Sequence, residues 1–358
     1  MKTPAALFVE SGKPLIIDDV DLPDPGPTQV QIRQFATGVC HSQLHELDRP
    51  NPAVPVLLGH ESTGVVTAAG KDVPHVKVGD HVMVTWVPRN FNSGRQPIPA
   101  VVKYNGTQVN YGAPANVGTF TWSRDVVVDE LMVVPLEKGV DTGATAPVGC
   151  AVMTGVGAAI NAAQIRAGQS AAIIGVGGVG LSVVAGCHIA GAYPIIAVDL
   201  SDEKIEFAKQ FGATHGINAA KEDPIAKIRE MMGGGFNAGV DVAFDAIGAK
   251  ISMEQVLQMA RGRKPGDREG GTAVLVGVPH GEPATPPMFM LFGGKVFRGA
   301  PGGCSEPDHD FPLMIQWFKD GKLPLDKMIT RRYKLEQINE ACTALRKGEI
   351  AGRAIVEF

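Results

Sequence analysis

At Cys150 the texture of the chain changes. Up to about Val148, short alternating or apolar runs (ALFVE, LIIDDV, QVQIRQFATGV, STGVVTAAG, HVMVTW, DVVVDELMVVP) are separated by clusters of Pro, Gly and Asp. Brief period-2 segments broken by turn residues read as a barrel-like or Greek-key β domain. Beyond Cys150, apolar strands such as SAAIIGV, YPIIAVDL, GVDVAFDAIG and GTAVLVGV alternate with helical stretches such as DEKIEFAKQFG and ISMEQVLQMARG. Strands paired in parallel need a crossover connection, and helices supply it, so this half predicts a doubly wound parallel sheet. The alternation ends near Pro301. The remaining helix, strand, helix and strand are too few to fold alone and are expected to rejoin the β domain. The organisation predicted is an α/β chain: a β-rich domain from 1–150 and 302–358, with a nucleotide-type domain inserted over 151–301.

A length of 358 residues suits two domains, and 44% hydrophobic residues make a packed core easy to build. The net charge of −4, with no long basic block, argues against a nucleic-acid or membrane partner. The N-terminal MKTPAALFVESGK lacks the apolar run of a signal peptide. Five cysteines, at 40, 150, 187, 304 and 342, are an odd count at wide spacing, so no disulfide framework is expected. A reducing, cytoplasmic location is expected.

Gly175, Gly177 and Gly180 form G-x-G-x-x-G between a predicted strand and a predicted helix, with Gly178 and Val179 inside the turn. Glycines there permit a tight turn, close approach of backbone to a pyrophosphate, and close helix packing. The helix N-terminus adds unpaired N–H groups and partial positive charge. Asp199 ends the next strand, in the ~20-residue window of a ribose-binding acid. An acid there accepts from a free 2′-hydroxyl and repels a 2′-phosphate. No Arg follows it, so NAD is expected rather than NADP. The bland reading is a glycine-rich turn with a solvated Asp.

Cys40, His60, Glu61 and Cys150 stand in the runs GVCHSQLHELD, GHESTGVV and PVGCAVMTG. Two thiols and an imidazole are soft donors suited to zinc, and three protein ligands leave one tetrahedral position open, as in catalytic sites. Singly, each is more often an ordinary buried residue. Two contexts favour them as ligands. His60 follows Gly59 at a turn after apolar PVLL, and Cys40 is flanked by His41, Ser42 and His45. Zinc acidifies a bound alcohol, whose proton must then reach solvent. Ser42, a ribose hydroxyl and His45 would make such a route.

In order and spacing, GVCHSQLHELD, GHESTGVV, VKVGDHVMV, GCAVMTGVGAA and GVGGVG resemble the zinc-dependent alcohol dehydrogenases of the medium-chain dehydrogenase/reductase superfamily, over essentially the whole chain. The resemblance implies a GroES-like catalytic domain with an inserted Rossmann domain. It implies Cys40, His60 and Cys150 as the ligands of a catalytic zinc, with Glu61 as an auxiliary acid, and Ser42 and His45 as a proton relay. For NAD it implies His41 and Arg353 on the pyrophosphate, Asp199 and Lys204 on the adenosine ribose, and Thr154, Val276 and Val278 near the nicotinamide. Trp86 would wall the substrate pocket, with Ser42 and Val278, and favour small or slender alcohols and aldehydes. Family members pair near GTAVLVGVPHGE and PPMFMLFGG, read here as an apolar edge, so a homodimer is expected, with a tetramer as the alternative.

Two departures stand out. Many members carry a second, structural zinc on four cysteines. The corresponding stretch here, 88–118, has no cysteine, so one zinc per chain is expected and the lobe should be held by packing or hydrogen bonds. Gln43 stands where an Asp commonly orients the His ligand. A neutral amide raises imidazole basicity less, which predicts lower zinc affinity. Rival readings are a polyol or sugar dehydrogenase, whose third ligand is usually acidic; a zinc-free quinone or enoyl reductase; and a non-catalytic nucleotide-binding protein. Glutathione-dependent formaldehyde dehydrogenases share several motifs but use lobe residues that differ here.

Overall fold

The computed structural model describes residues 1–49, 53–112, 118–235 and 237–358, with only the backbone at Phe91. Residues 113–117, at the end of the cysteine-free stretch, lie outside the described residues. The chain divides into two units. The first is Met1–Cys150, Glu306–Asp320 and Pro324–Phe358; the second is Ala151–Ser305 with Gly321–Leu323.

The first unit is built around strand Gln29–Val39. Nine of its eleven residues are buried, because partners cover it on several sides: Ser62–Ala69, Asp125–Asp129 and Arg353–Glu357 all pair with it antiparallel. The seven-stranded sheet so formed continues through His81–Val84 and Val133–Leu136 on one side and Ile329–Tyr333 on the other. A second, six-stranded sheet carries Lys2–Phe8 and Ile16–Asp21 near its centre. Side chains of both sheets (Leu7, Ile32, Val66, Val84, Val127) meet in one core, joined by Phe120 from a connecting segment. Burying each stabilises the unit by about 1.5–3 kcal/mol before conformational entropy is subtracted. The pairing Ala354↔Val39 is what returns the C-terminus to this domain. It also sets Arg353 beside Cys40 in register.

The second unit is a parallel sheet of six strands. Their order is His215–Asn218, Ile195–Asp199, Ala171–Ile174, Val242–Asp245, Thr272–Leu275, Val296–Gly299. The chain leaves Ala171–Ile174 in one direction and later returns on its other side. The carboxyl end of that strand is therefore the topological switch point, where open α/β sheets bind ligands. Thr272–Leu275, read from sequence as an edge, is flanked on both sides; the edge is Val296–Gly299. The short VFRG strand has too little apolar alternation to announce itself. Among the described residues no single helix is long and apolar enough to cross a membrane.

Candidate metal and dinucleotide sites

In the first unit, strand Gln29–Val39 runs into Cys40, whose extended backbone starts helix His41–Leu47. After Val56–Leu57 the chain turns at Gly59, whose φ of +101° disfavours any residue with a side chain, and His60 follows. Cys150 follows the helical turn Ala146–Gly149. From these three places the Sγ atoms of Cys40 and Cys150 and a ring nitrogen of His60 come within 4.8 Å of one another. All three residues are buried, at 8%, 7% and 3% exposure. Among the described residues this is the one His/Cys/Asp/Glu group able to hold a metal ion.

The nearness of the two sulfurs drives their ionisation apart. A hydrogen bond from Cys150 holds the Cys40 thiol well below its ordinary pKa, with Arg353 and His60 adding to this against burial. Cys150 is pushed the other way, by that same hydrogen bond, by burial, and by the charges of Cys40 and Glu61. A divalent cation would take both as thiolates and release the proton. The donors fit zinc: two soft sulfurs and an imidazole, converging and dry.

Glu61, fully buried, accepts from the buried Arg353 guanidinium, whose Nε has no partner. The resemblance placed Arg353 on the cofactor pyrophosphate; here its charge is set against Glu61 and the two cysteines. These residues are 292 positions apart in sequence, and nothing local signals the contact. Ser42 Oγ is buried without a hydrogen-bond partner, and His45 lies one helical turn on, half-buried. His41 is exposed. The Trp86 ring meets His60 edge-on at 6.4 Å, and its Nε1 is buried without a partner.

In the second unit, Ala171–Ile174 ends in Gly175, and helix Gly178–Ile189 begins after Gly177. A side chain on Gly180 would sit 1.8 Å from the Gly175 carbonyl oxygen, so only glycine lets the helix start this close to the turn. The first N–H groups of that helix have no intrahelical acceptor. Asp199 ties the turn to the next strand end. Its Oδ2 accepts from Val176 N–H at 3.0 Å, and its Oδ1 from Leu200 and Ser201 N–H at 2.8 and 3.2 Å. Ser201, not Asp199, caps the following helix by accepting from Lys204 N–H. Thr154 is buried with Oγ1 unpartnered, Val276 is buried, and Val278 is exposed.

Sequence reasoning missed Asp245. This fully buried residue ends Val242–Asp245, and its Oδ1 accepts from Ile247 and Gly248 N–H at 2.9 and 3.0 Å. Its carbonyl accepts from Val276 and Gly277 N–H. It thereby fixes both loops at the carboxyl end of the sheet. Asp-x-x-Gly directly after a strand, a common Asx-turn pattern, was the available signal.

Sequence reasoning also missed how the cysteine-free lobe is held. Arg95 forks onto Asp129 at 2.7 and 2.8 Å and reaches Glu130 at 2.7 Å. Arg89 lies between Glu130 and Asp308, at 3.3 and 2.7 Å. Asp129 also accepts from Ile98 and Leu131 N–H, both at 3.0 Å. Burial pushes the Asp129 carboxyl up, but Arg95 and these N–H groups outweigh it and hold it below its ordinary 3.8.

Comparison with known proteins gives the family. Residues 26–138 match the alcohol dehydrogenase GroES-like domain and residues 178–320 the zinc-binding dehydrogenase domain. The chain is 33% identical to an alcohol dehydrogenase class-3 of Cereibacter sphaeroides, over the whole of both chains. It is 32% identical to an S-(hydroxymethyl)glutathione dehydrogenase of Paracoccus denitrificans, covering 98% of each. Benzyl alcohol dehydrogenase from Acinetobacter calcoaceticus superposes with a TM-score of 0.87 at 28% identity, covering 100% of this chain and 99% of that one. The chain belongs to the zinc-dependent alcohol dehydrogenases of the medium-chain dehydrogenase/reductase superfamily. It is an oxidoreductase acting on CH–OH groups, with zinc and NAD as its cofactors.

Proposed function

We propose that Cys40, His60 and Cys150 hold the zinc of an alcohol dehydrogenase whose substrates are slender primary or secondary alcohols and the matching aldehydes or ketones. The observation that carries this is the convergence of the three buried donors within 4.8 Å. When bound there, zinc supplies Lewis acidity toward a substrate oxygen. The chain's own residues do the rest. Ser42 Oγ, buried and unpartnered, would accept the hydroxyl proton as it gives up its own, and His45, half-buried one helical turn on, would release a proton to solvent. Glu61 and Arg353 set the charge around the cluster. The Trp86 ring, packed edge-on against His60, limits substrate width.

For NAD, the Gly175–Gly180 turn and the helix N-terminus behind it suit a pyrophosphate. Asp199, with Lys204, would accept the adenosine ribose; its negative charge disfavours a 2′-phosphate. Thr154, Val276 and Val278 would line the nicotinamide, with Asp245 keeping the Val276–Val278 backbone in place. We assign Met1–Cys150, Glu306–Asp320 and Pro324–Phe358 to the catalytic domain and Ala151–Ser305 with Gly321–Leu323 to the nucleotide domain, whose end falls at Ser305 and not at the 301 expected from sequence.

The relative named for S-(hydroxymethyl)glutathione favours a second reading, a glutathione adduct as substrate. Against it, the two arginines beginning this lobe, Arg89 and Arg95, are already engaged by carboxylates of the chain itself. A panel of aliphatic and benzylic alcohols, alongside formaldehyde with and without glutathione, separates the readings. NADH formation from simple alcohols is expected; turnover only with the glutathione adduct overturns the first reading.

A homodimer fits the exposure of Met288, Phe289 and Phe292, the last 99% exposed. Sedimentation or light scattering tests it against a monomer or tetramer. All five cysteines are free, which fits a reducing cytoplasm.

A further inference from the structure

Gln43 lies between two groups that do not ask the same thing of it. It is 1% exposed, and its Oε1 accepts from the Cys40 N–H at 3.0 Å. This is the return bond of a helix capping box, so the oxygen is committed to starting helix His41–Leu47. Its Nε2 faces His60 Nδ1 at 2.5 Å, while His60 Nε2 faces Cys150 Sγ at 3.1 Å. An amide has one accepting end and one donating end. With the imidazole proton on Nε2, every bond is satisfied: Cys40 N–H donates to Gln43, and Gln43 donates to Nδ1.

A metal at Nε2 changes this. The neutral ring must then carry its proton on Nδ1, where it meets the amide NH2. Turning the amide over only moves the conflict, because the backbone N–H of Cys40 is always a donor. Bringing both donors onto Oε1 leaves the amide NH2 buried without a partner. A carboxylate at this position would accept from both sides at once.

We propose that Gln43 is a positioning residue that holds His60 in the Nε2–H form when no ion is bound, and so keeps the metal weakly held and exchangeable. This rests on the reading of Cys40, His60 and Cys150 as the zinc site. It concerns the residue behind the ligand, where a change of partner typically moves metal affinity 10–100-fold.

Zinc affinity is measured by competition with the chromophoric chelator 4-(2-pyridylazo)resorcinol for the full chain, Gln43→Glu, Gln43→Asp and Cys150→Ser. Gln43→Glu, which keeps the side-chain length, is expected to bind zinc about 10–100-fold more tightly. Equal or weaker binding in both carboxylate variants overturns the proposal while leaving the site intact. Retention of zinc by Cys150→Ser overturns the site itself. Imidazole 15N shifts of the zinc-free wild-type protein supply a test that needs no variant. His60 protonated at Nε2 without zinc and at Nδ1 with it supports the proposal; Nδ1–H in the zinc-free protein overturns it.

Discussion

Beside His60, Cys40 and Cys150 bring together two sulfurs that repel one another once both are ionised, whereas Arg89, Arg95, Asp129 and Glu130 bring together charges that already cancel. Both groups belong to the first unit, and both gather residues from distant stretches of sequence. The first becomes electrostatically complete only with a cation. The second is complete as it stands, and Arg95 does for the lobe what a bound ion does elsewhere: it holds residues 95–98 onto the 129–131 corner through several directed bonds at once. The two corners should therefore fail differently, one on chelation and the other on acidification or loss of a guanidinium.

The largest effect is expected at the first corner. Cys150→Ser should lower bound zinc from about one ion per chain to about none and bring alcohol-dependent NADH formation to background. Metal analysis and a spectrophotometric assay check it. Urea unfolding of the zinc-free forms should barely separate the variant from wild type.

Arg95→Ala should do the reverse. It leaves the Asp129 carboxylate buried with the Ile98 and Leu131 N–H groups and the Thr28 hydroxyl as donors, and should cost about 3 kcal/mol in urea unfolding. Cleavage by a protease such as thermolysin should become faster within 88–112, while zinc content is retained. A variant as stable as wild type would show that packing alone holds the lobe.

Trp86→Ala tests the wall beside the metal corner without touching a proposed ligand. The ratio of kcat/KM for a bulky benzylic alcohol to that for ethanol should rise about 10-fold, since removing a pocket side chain changes discrimination by roughly 1–3 kcal/mol. An unchanged ratio removes Trp86 from the pocket.

Acid sharpens the comparison further. The folded-state pKa of Asp129 is lowered, so its stabilising contribution is full above the unfolded value near 3.8 and is lost as pH falls through the folded value. Without Arg95, burial raises the variant's Asp129 carboxyl, so the stability gap between wild type and Arg95→Ala should be widest near neutral pH and narrow as pH falls. The smallest effect is expected at the rim of the network. Asp308 is 40% exposed at its side chain, and Asp308→Asn should cost less than about 1 kcal/mol.

What was legible followed locality. The glycine turn at Gly175–Gly180 and Asp199 could be read directly, because a strand, a tight turn and a helix N-terminus are consecutive in the chain and each has its own residue preferences. Cys40, His60 and Cys150 could be singled out by ligand type and by matching motifs, although no spacing rule puts residue 150 beside residue 40. The Glu61–Arg353 pair escaped, because it depends on the register Ala354↔Val39, which only a formed sheet sets. The lobe could be read only by what it lacks. The absence of cysteine in 88–118 was plain, but that Arg95 would fork onto Asp129 was not. A charged residue in a loop looks the same in sequence whether it is solvated or buried against a partner. The apolar run at 288–292 made Thr272–Leu275 look like an edge, while the short strand Val296–Gly299 covers it.

Periodicity, turn chemistry and donor type are local properties, so the order of β domain, Rossmann domain and returning tail, the nucleotide turn and the kind of metal donor were written in consecutive residues. Partner identity is not local. Which carboxylate meets Arg353, which backbone N–H occupies the Gln43 oxygen, and which acids Arg95 binds depend on strand register and on groups brought within about 3 Å after long-range pairing. At that range hydrogen bonds are strong and directional, and a single amide in place of a carboxylate alters which tautomer of a histidine the site prefers.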